Sequence, residues 1–511
     1  MFGLSRSNGP QKKVLVTQDD FYDDAVAKEE QAERWALSDI KKTIRQYLLA
    51  FESYERGLNA AEATLSGSCH IYYNQTRLLL KMHTDFIAND GHINILQYVN
   101  LSDLGDLTVL FQPLGSITER FELAFAKFGD ICSWDLHFNL LTCYYSRIEN
   151  FETVPGQEVL HVFEKFRTLS QKLIELHVQE LETWDVANAD GLSNVESYED
   201  TAKGPDQERD QEPEAVEMQD EITVWTLIDT LAVSYRCIAA VLELFIESSS
   251  GTLDTLNAVQ ADWLSNNAQE YKSQLDNFLA NTTHIHEESA DTGELKLAIW
   301  SIEALRIATD DGFEGLKTLI ADLPNEDTGR LLIAVDVLHL AGQPSRGTAN
   351  SQLWAIYTEI GRVLRIVDSQ LAAKRQDITS GRLKHIENEL SPTVFHLCDV
   401  LINRSDNELF RYMIKTSSTD TSTSYDGSSD PNAAKTAAVL LKNAQVLLKN
   451  AKAISQQSCG FREYISDKLK RNYIYKQAED RLEFIESHKT TETISELAQN
   501  HPFYATNYSF H

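Results

Sequence analysis

Residues 44–58 read IRQYLLAFESYERGL, and this stretch is the clearest indication of the fold class. Its apolar side chains recur at steps of three and four residues, the spacing of one face of an α-helix: Ile44, Tyr47, Leu48, Phe51, Tyr54 and Leu58. Residues 117–128 repeat the spacing, and further helical stretches cover 224–247, 295–308, 353–371, 392–403 and 433–454. Strand-like alternation is nearly absent, and the 511 residues include only 10 prolines and 22 glycines. The sequence therefore predicts an all-α protein.

Three polar segments with few apolar side chains divide the chain at 1–18, 185–221 and 417–430. The middle segment is rich in Asp, Glu, Gln, Ser and Asn, a composition that buries too little apolar surface to offset the entropy lost on ordering. We expect a flexible N-terminus at 1–18, helical repeats at 19–184, an acidic disordered linker at 185–221, a second helical-repeat segment at 222–416, a flexible Ser/Thr-rich loop at 417–430, and C-terminal helices with a tail at 431–511.

A loose internal duplication lies in the N-terminal part, between residues 51–80 and residues 121–145. In each copy an aromatic-rich helix ends in a polar turn, and the second helix then carries an aromatic residue followed by asparagine. These asparagines, Asn74 and Asn139, lie 65 residues apart, which is close to two periods of about 34 residues. The spacing indicates a helix-pair repeat.

The pattern resembles the tetratricopeptide (TPR) family, in which small residues let helices approach and aromatics fill the wedge between helix pairs. Three sets of residues carry the resemblance: Thr43, Tyr47 and Ala50; Tyr72, Tyr73 and Asn74 with Thr76 and Leu79; His137, Phe138 and Asn139 with Leu141 and Tyr144. The closing proline is absent after Leu58 and Phe128, and the usual first-helix glycine is missing. The resemblance implies a right-handed TPR-like superhelix. Other α-solenoids and unrelated helical bundles remain open alternatives.

The resemblance also implies a peptide-binding groove lined by the first helix of each pair. Asn74 and Asn139 would then hydrogen-bond the backbone of a bound peptide, with Arg77 beside the first of them. The alternative is that each asparagine only satisfies its own helix or faces solvent. A clamp for the carboxylate tail of a chaperone needs more cations than Arg77 and Lys81, so an Hsp90 co-chaperone role is not favoured.

The net charge of −31 and pI near 4.8 argue against direct binding of nucleic acid, because phosphate would be repelled. The same charge fits a protein that binds a basic client, although acidity that only provides solubility is an equal alternative. The sequence has no membrane-spanning apolar run, and its six scattered cysteines include no C-x-x-C pair. We expect reduced thiols in a cytoplasmic protein, with the nucleus as a second location.

Two motifs have residue spacings that would suit a metal-binding site. Residues 19–24 contain D-D-x-x-D, which holds magnesium in isoprenoid synthases, but acidic residues also favour a helix N-terminus. Residues 284–288 read HIHEE, but residues two apart do not share a helix face, and no second ligand cluster follows. P-loop, G-x-G-x-x-G and G-x-S-x-G patterns are absent. We therefore expect no catalytic site, no metal, no cofactor and no small-molecule substrate.

The C-terminal part is basic, unlike the rest of the chain. Residues 439–452 contain a heptad echo, VLLKNAQ then VLLKNAK, followed by more lysines and arginines. One interpretation is a solvated basic face on a packing helix. Another is a segment that folds back against the acidic linker until a basic client displaces it. A coiled-coil dimer would need three or four heptads rather than two.

Together these features predict a non-enzymatic scaffold or assembly chaperone that holds a protein client, a basic one in the most concrete version. The alternative is a structural subunit of a stable multiprotein complex.

Overall fold

The structure is a computed structural model, and it describes residues 15–88, 94–150, 156–191, 222–250, 256–282, 292–342, 349–383, 389–420, 431–459 and 463–487. Every regular element in these ranges is helical, so the predicted all-α class is confirmed. In the described part, no helix is both long enough and apolar enough to cross a membrane.

The described residues form fifteen α-helices: α1 Gln18–Ala36, α2 Ile40–Leu58, α3 Leu65–Met82, α4 Leu114–Phe128, α5 Trp134–Glu149, α6 Gly156–Gly191, α7 Val224–Ser250, α8 Ala258–Asn281, α9 Gly293–Asp310, α10 Gly312–Ala321, α11 Thr328–Ala341, α12 Asn350–Thr379, α13 Leu390–Asp420, α14 Pro431–Ser455 and α15 Ile465–Ser487. A π-helical segment, His83–Ala88, follows α3, and 3₁₀ turns lie at Ile95–Tyr98 and Gly129–Ile131.

Side-chain caps explain where several helices begin. Thr17 accepts a hydrogen bond from the backbone N–H of Asp20, and the Asp20 carboxylate accepts from the backbone N–H of Thr17. Asp39 and Thr64 cap α2 and α3 by accepting from backbone N–H groups one turn on. These contacts satisfy donors that the first turn of a helix leaves without partners.

The first of two compact units comprises residues 1–132 and 461–470. Its α1 packs along α2, and α3 contacts both α2 and α4. Ala25, Ala32 and Ala50 are fully buried, and such small side chains let helix backbones approach closely. Tyr47 and Tyr54 fill the remaining space as fully buried aromatics.

The second unit comprises residues 133–460 and 471–511. Its helices pair in chain order: α5 with α6, α7 with α8, α9 with α10, α11 with α12, and α13 with α14. In addition, α7 contacts α5 and α9, and α9 contacts α11. The helices α5, α7, α9 and α11 therefore lie side by side in sequence order.

A buried ion pair orients α15 against α13 in the second unit. The Nε atom of Arg481 donates to both carboxylate oxygens of Asp406 at 3.2 Å, and each side chain is only 4% exposed. Arg481 also donates from Nη1 to the side chain of Gln477 at 2.8 Å. Charges buried this deeply need several partners, and these contacts supply them.

Some predicted segment boundaries differ from the helix ends. The predicted linker begins at 185, whereas α6 continues to Gly191. The predicted Ser/Thr-rich loop begins at 417, whereas α13 continues to Asp420. In both helices the helical backbone continues beyond the last residues whose apolar side chains recur at helical spacing. The rest of both segments, the HIHEE stretch at 284–288 and the tail from 488 onward lie outside the described residues.

Candidate functional site

Two of the three predicted peptide-binding residues, Asn74 and Arg77, meet on α3 in the first unit. The Asn74 amide donates to the carbonyl of His70 at 2.9 Å, and its oxygen accepts from Arg77 Nε at 3.3 Å. The Asn74 amide is thus engaged within its own helix.

Arg77 is also held by a buried carboxylate on α1. Its Nη2 atom lies 2.9 Å from Glu29 Oε2, and the Tyr54 hydroxyl donates to Glu29 Oε1 at 2.6 Å. Glu29 is 8% exposed at its side chain and Arg77 40%. Burial opposes the charge on Arg77, but Glu29 outweighs it and raises the pKa of the guanidinium. This network ties α1, α2 and α3 together and leaves one side of Arg77 facing solvent.

The third predicted residue, Asn139, lies half-buried on α5 in the second unit. The structure therefore brings Asn74 and Arg77 together and places Asn139 in the other unit. A peptide-binding role for these three residues stays a prediction.

The acidic motif at 19–24 has structural contacts. Asp20 forms the capping box of α1, and Asp24 pairs with Lys28 and accepts from the Ser53 hydroxyl at 2.6 Å. Partial burial opposes ionisation of Asp24, but these partners prevail and lower its pKa. Across the described ranges, no three His, Cys, Asp or Glu side chains converge in a way that could hold a metal ion.

A cavity of about 250 Å³ lies in the second unit where α5, α7, α9 and α11 meet. It is lined by Tyr145, Glu149, Arg236, Ala239, Ala240, Glu243, Glu294, Leu297, Ala298, Ser301 and Ile333. Three carboxyl groups and one guanidinium therefore line the cavity, and most of the other lining side chains are small or aliphatic. We call this the acidic cavity.

The polar groups of the acidic cavity differ in how they are partnered. Arg236 pairs with Glu294, and the Tyr145 hydroxyl donates to Glu149 Oε1 at 2.8 Å. Glu243, which is half-buried, forms no hydrogen bond or ion pair with another described residue. The one cation that lines the cavity is thus already engaged, and among the described residues the most enclosed carboxyl group has no counter-charge.

The environment of Glu243 opposes its ionisation. Burial raises its pKa from 4.5 to about 7, and repulsion from Asp336, Glu247 and Glu149 adds to the effect. At neutral pH the carboxyl is therefore about half ionised. A cationic group entering the cavity would favour the ionised form.

The sequence prediction missed these residues. Glu243 interrupts the apolar run IAAVLELFI at residues 238–246, and one acid inside such a run is a detectable signal. Glu149 and Glu294 carry no comparable signal, because Glu149 is the last residue of α5 and Glu294 lies in the first turn of α9, where acids are common, and each reaches the cavity only through tertiary packing.

Two family models match the chain: the YNL193W-like protein middle domain over residues 151–310 and the YNL193W C-terminal domain over residues 324–508. The chain is also similar to a Saccharomyces cerevisiae protein named "Uncharacterized protein YNL193W", with 36% identity over 558 aligned residues. That alignment covers 99% of this chain and 98% of the yeast protein. No solved structure matches the chain significantly.

Proposed function

We propose that this chain, which belongs to the YNL193W-like protein family, is a non-enzymatic protein-binding scaffold or assembly chaperone. It holds a basic segment of a client protein, and the acidic cavity of the second unit receives a lysine or arginine side chain of that segment. Cytoplasm or nucleus is the location that we propose for this activity.

The observation that carries the proposal is the half-buried carboxyl group of Glu243, for which the described part of the chain supplies no counter-charge. Keeping such a group among Glu149 and Asp336 costs stability, and a structural role would be served better by an apolar side chain. A client ammonium or guanidinium would supply the missing charge in a partly desolvated place, where a charge-assisted hydrogen bond is strong.

The order of helices in the second unit supports a repeat-type binding surface. Helix pairs follow one another from α5 to α12, with α5, α7, α9 and α11 adjacent to each other. In TPR-like arrays, the corresponding series of helices lines the surface that binds extended peptides. We therefore propose a TPR-like helix-pair array here, in which the acidic cavity lies on the helices that would line the groove.

The test is binding of a short fluorescein-labelled peptide rich in lysine and arginine to the full chain, followed by fluorescence anisotropy. Glu243→Gln removes the charge but keeps the shape, and it should weaken binding by about tenfold or more, because hydrogen bonds to charged groups contribute about 1.5–3 kcal/mol. Glu314→Gln, at an exposed glutamate on α10, is the matched control and should have little effect.

Binding should also strengthen as pH rises from about 6 to about 8, because Glu243 must lose its proton to pair with the peptide. Equal affinity for Glu243→Gln and the unaltered chain would exclude the acidic cavity as the client site. If, in addition, native extract yields a fixed set of subunits that resist moderate salt, the chain is better explained as a structural subunit of a stable complex.

A further inference from the structure

The outward face of α14 presents a regular row of lysines and valines. It consists of Lys435, Val439, Lys442, Val446 and Lys449, and we call it the lysine–valine stripe. Each valine has one lysine four residues before it and another three residues after it, so the five side chains share one face of the helix. Val439 is 57% exposed and Val446 is 47% exposed.

The opposite face of α14 already packs against α13. Its buried residues are Ala437, Leu440, Ala444, Leu447, Leu448 and Ala451. The Ser405 hydroxyl donates to the carbonyl of Ala444 at 3.1 Å, which adds a polar contact to this packed face. The lysine–valine stripe is therefore a second face, distinct from the apolar face that packs against α13.

Helix stability does not account for the valines either. A β-branched residue has lower helix propensity than alanine, and exposed aliphatic side chains gain no burial energy. Alanine occupies other exposed positions of the same helix, at Ala438 and Ala453. Two valines seven residues apart lie on the same side of the helix, so a single helix packed along this side would cover both.

The charge of α14 is opposite to that of the whole chain. Residues 431–455 contain four lysines and no acidic residue, whereas the full chain has a net charge of −31. Lys449 lies 3.2 Å from Glu486 and Lys452 lies 3.0 Å from Glu479, both on α15. For Lys435 and Lys442 the described residues offer no ion-pair partner, so within the described part of the chain these two lysines are available to pair with an external acid.

We propose that the lysine–valine stripe is a docking surface for an acidic amphipathic helix of a partner protein. Aliphatic residues of that helix would cover Val439 and Val446, and its carboxylates would pair with Lys435 and Lys442. A second copy of this chain fits poorly through the same stripe, because lysines would face lysines. This surface is separate from the acidic cavity and takes a partner of opposite charge, so either proposal can fail alone.

A synthetic helical peptide provides the first test, with leucine and glutamate in a seven-residue repeat and a control peptide in which lysine replaces glutamate. The full chain should bind the acidic peptide and not the basic control. Lys435→Glu with Lys442→Glu should weaken binding by about tenfold or more, because it turns attraction into repulsion. Lys296→Glu with Lys317→Glu, at exposed lysines on α9 and α10, changes the net charge equally and should leave binding nearly unchanged.

A photo-crosslinking side chain at position 446 then identifies the natural occupant. The proposal requires that the crosslinked segment, sequenced by mass spectrometry, is acidic with aliphatic residues at helical spacing, and that it is lost in the Lys435→Glu, Lys442→Glu chain. Crosslinking to a neutral or basic segment, to the acidic segment 185–221 of the same chain, or to a second copy of the chain would overturn it. The proposal would also be overturned if the Lys296→Glu, Lys317→Glu control lost as much peptide binding as the Lys435→Glu, Lys442→Glu chain. If Val446→Ser bound the peptide as tightly as the unaltered chain, the apolar contact would be excluded.

Discussion

At the level of single residues, the carboxyl group of Glu243 makes the stability of the folded chain depend on pH. Its pKa in the folded chain is about 7, above the ordinary 4.5 that it has when the chain is unfolded. Between these values the folded chain holds a proton that the unfolded chain has lost, so stability falls as pH rises. The contribution of the protonated carboxyl is complete below about pH 4.5 and is lost as pH rises through about 7.

Replacing this carboxyl by an amide should therefore stabilise the protein in a pH-dependent way. At about pH 8, the free energy of unfolding of Glu243→Gln should exceed that of the unaltered chain by up to about 3 kcal/mol, so the variant should unfold at a higher temperature. At about pH 5 this difference should become small. Scanning calorimetry at both pH values measures this, with Glu314→Gln as the control for loss of an exposed charge. A difference that stays constant with pH would contradict the role assigned to burial.

The candidate site was only partly predictable from residues. Helical spacing correctly places Asn74 and Arg77 on neighbouring positions of one helix, because separations of three and four are local geometry. It does not reveal that Arg77 meets Glu29, 48 residues earlier, or that Glu149, Glu243 and Glu294 share a cavity. Those contacts form only when helices distant in the sequence pack together, and the spacing of residues within one helix does not show which helices will meet.

At the element scale, the helices with wide apolar faces were the predictable ones. The stretch 117–128 lies within α4, and 433–454 lies within α14. In contrast, α8 gave no clear pattern, because two of its buried positions are the small residues Ala261 and Ala268 among many polar side chains. The same alanines that let helices pack closely make an apolar stripe hard to recognise.

Close packing of small residues yields a prediction for α2 and α4. Ala50 and Ala124 are 0% and 1% exposed, so tryptophan at either position must displace a neighbouring helix. Ala50→Trp and Ala124→Trp should each lower stability by about 1–3 kcal/mol or more, which thermal unfolding would detect. Ala27→Trp, on the exposed side of α1, is the matched control. Unchanged melting of the Ala50 and Ala124 variants would mean that these helix faces are not in close contact.

At the scale of the whole molecule, the dominant property is the excess of acidic side chains. The chain has 77 acidic and 46 basic side chains, and in most of its described ion pairs at least one partner is solvent-exposed, as both are in the Arg34–Glu30 pair. Exposed pairs contribute about 0–1 kcal/mol each and weaken in salt. Self-repulsion at a net charge of −31 acts over the whole surface and also weakens in salt, so the two effects oppose each other.

Self-repulsion should prevail, because the unbalanced charge is large and the exposed pairs are individually weak. We expect the melting temperature to rise as NaCl increases from about 0.02 M to about 0.3 M, where the screening length falls below about 10 Å. Sucrose at equal osmolality controls for effects of solute exclusion. A basic client would reduce the same repulsion by direct neutralisation, so its stabilising effect should be greatest at the lowest salt. A melting temperature that falls with salt would instead mean that the ion pairs contribute more to stability than self-repulsion removes. That result would remove the electrostatic argument for a basic client.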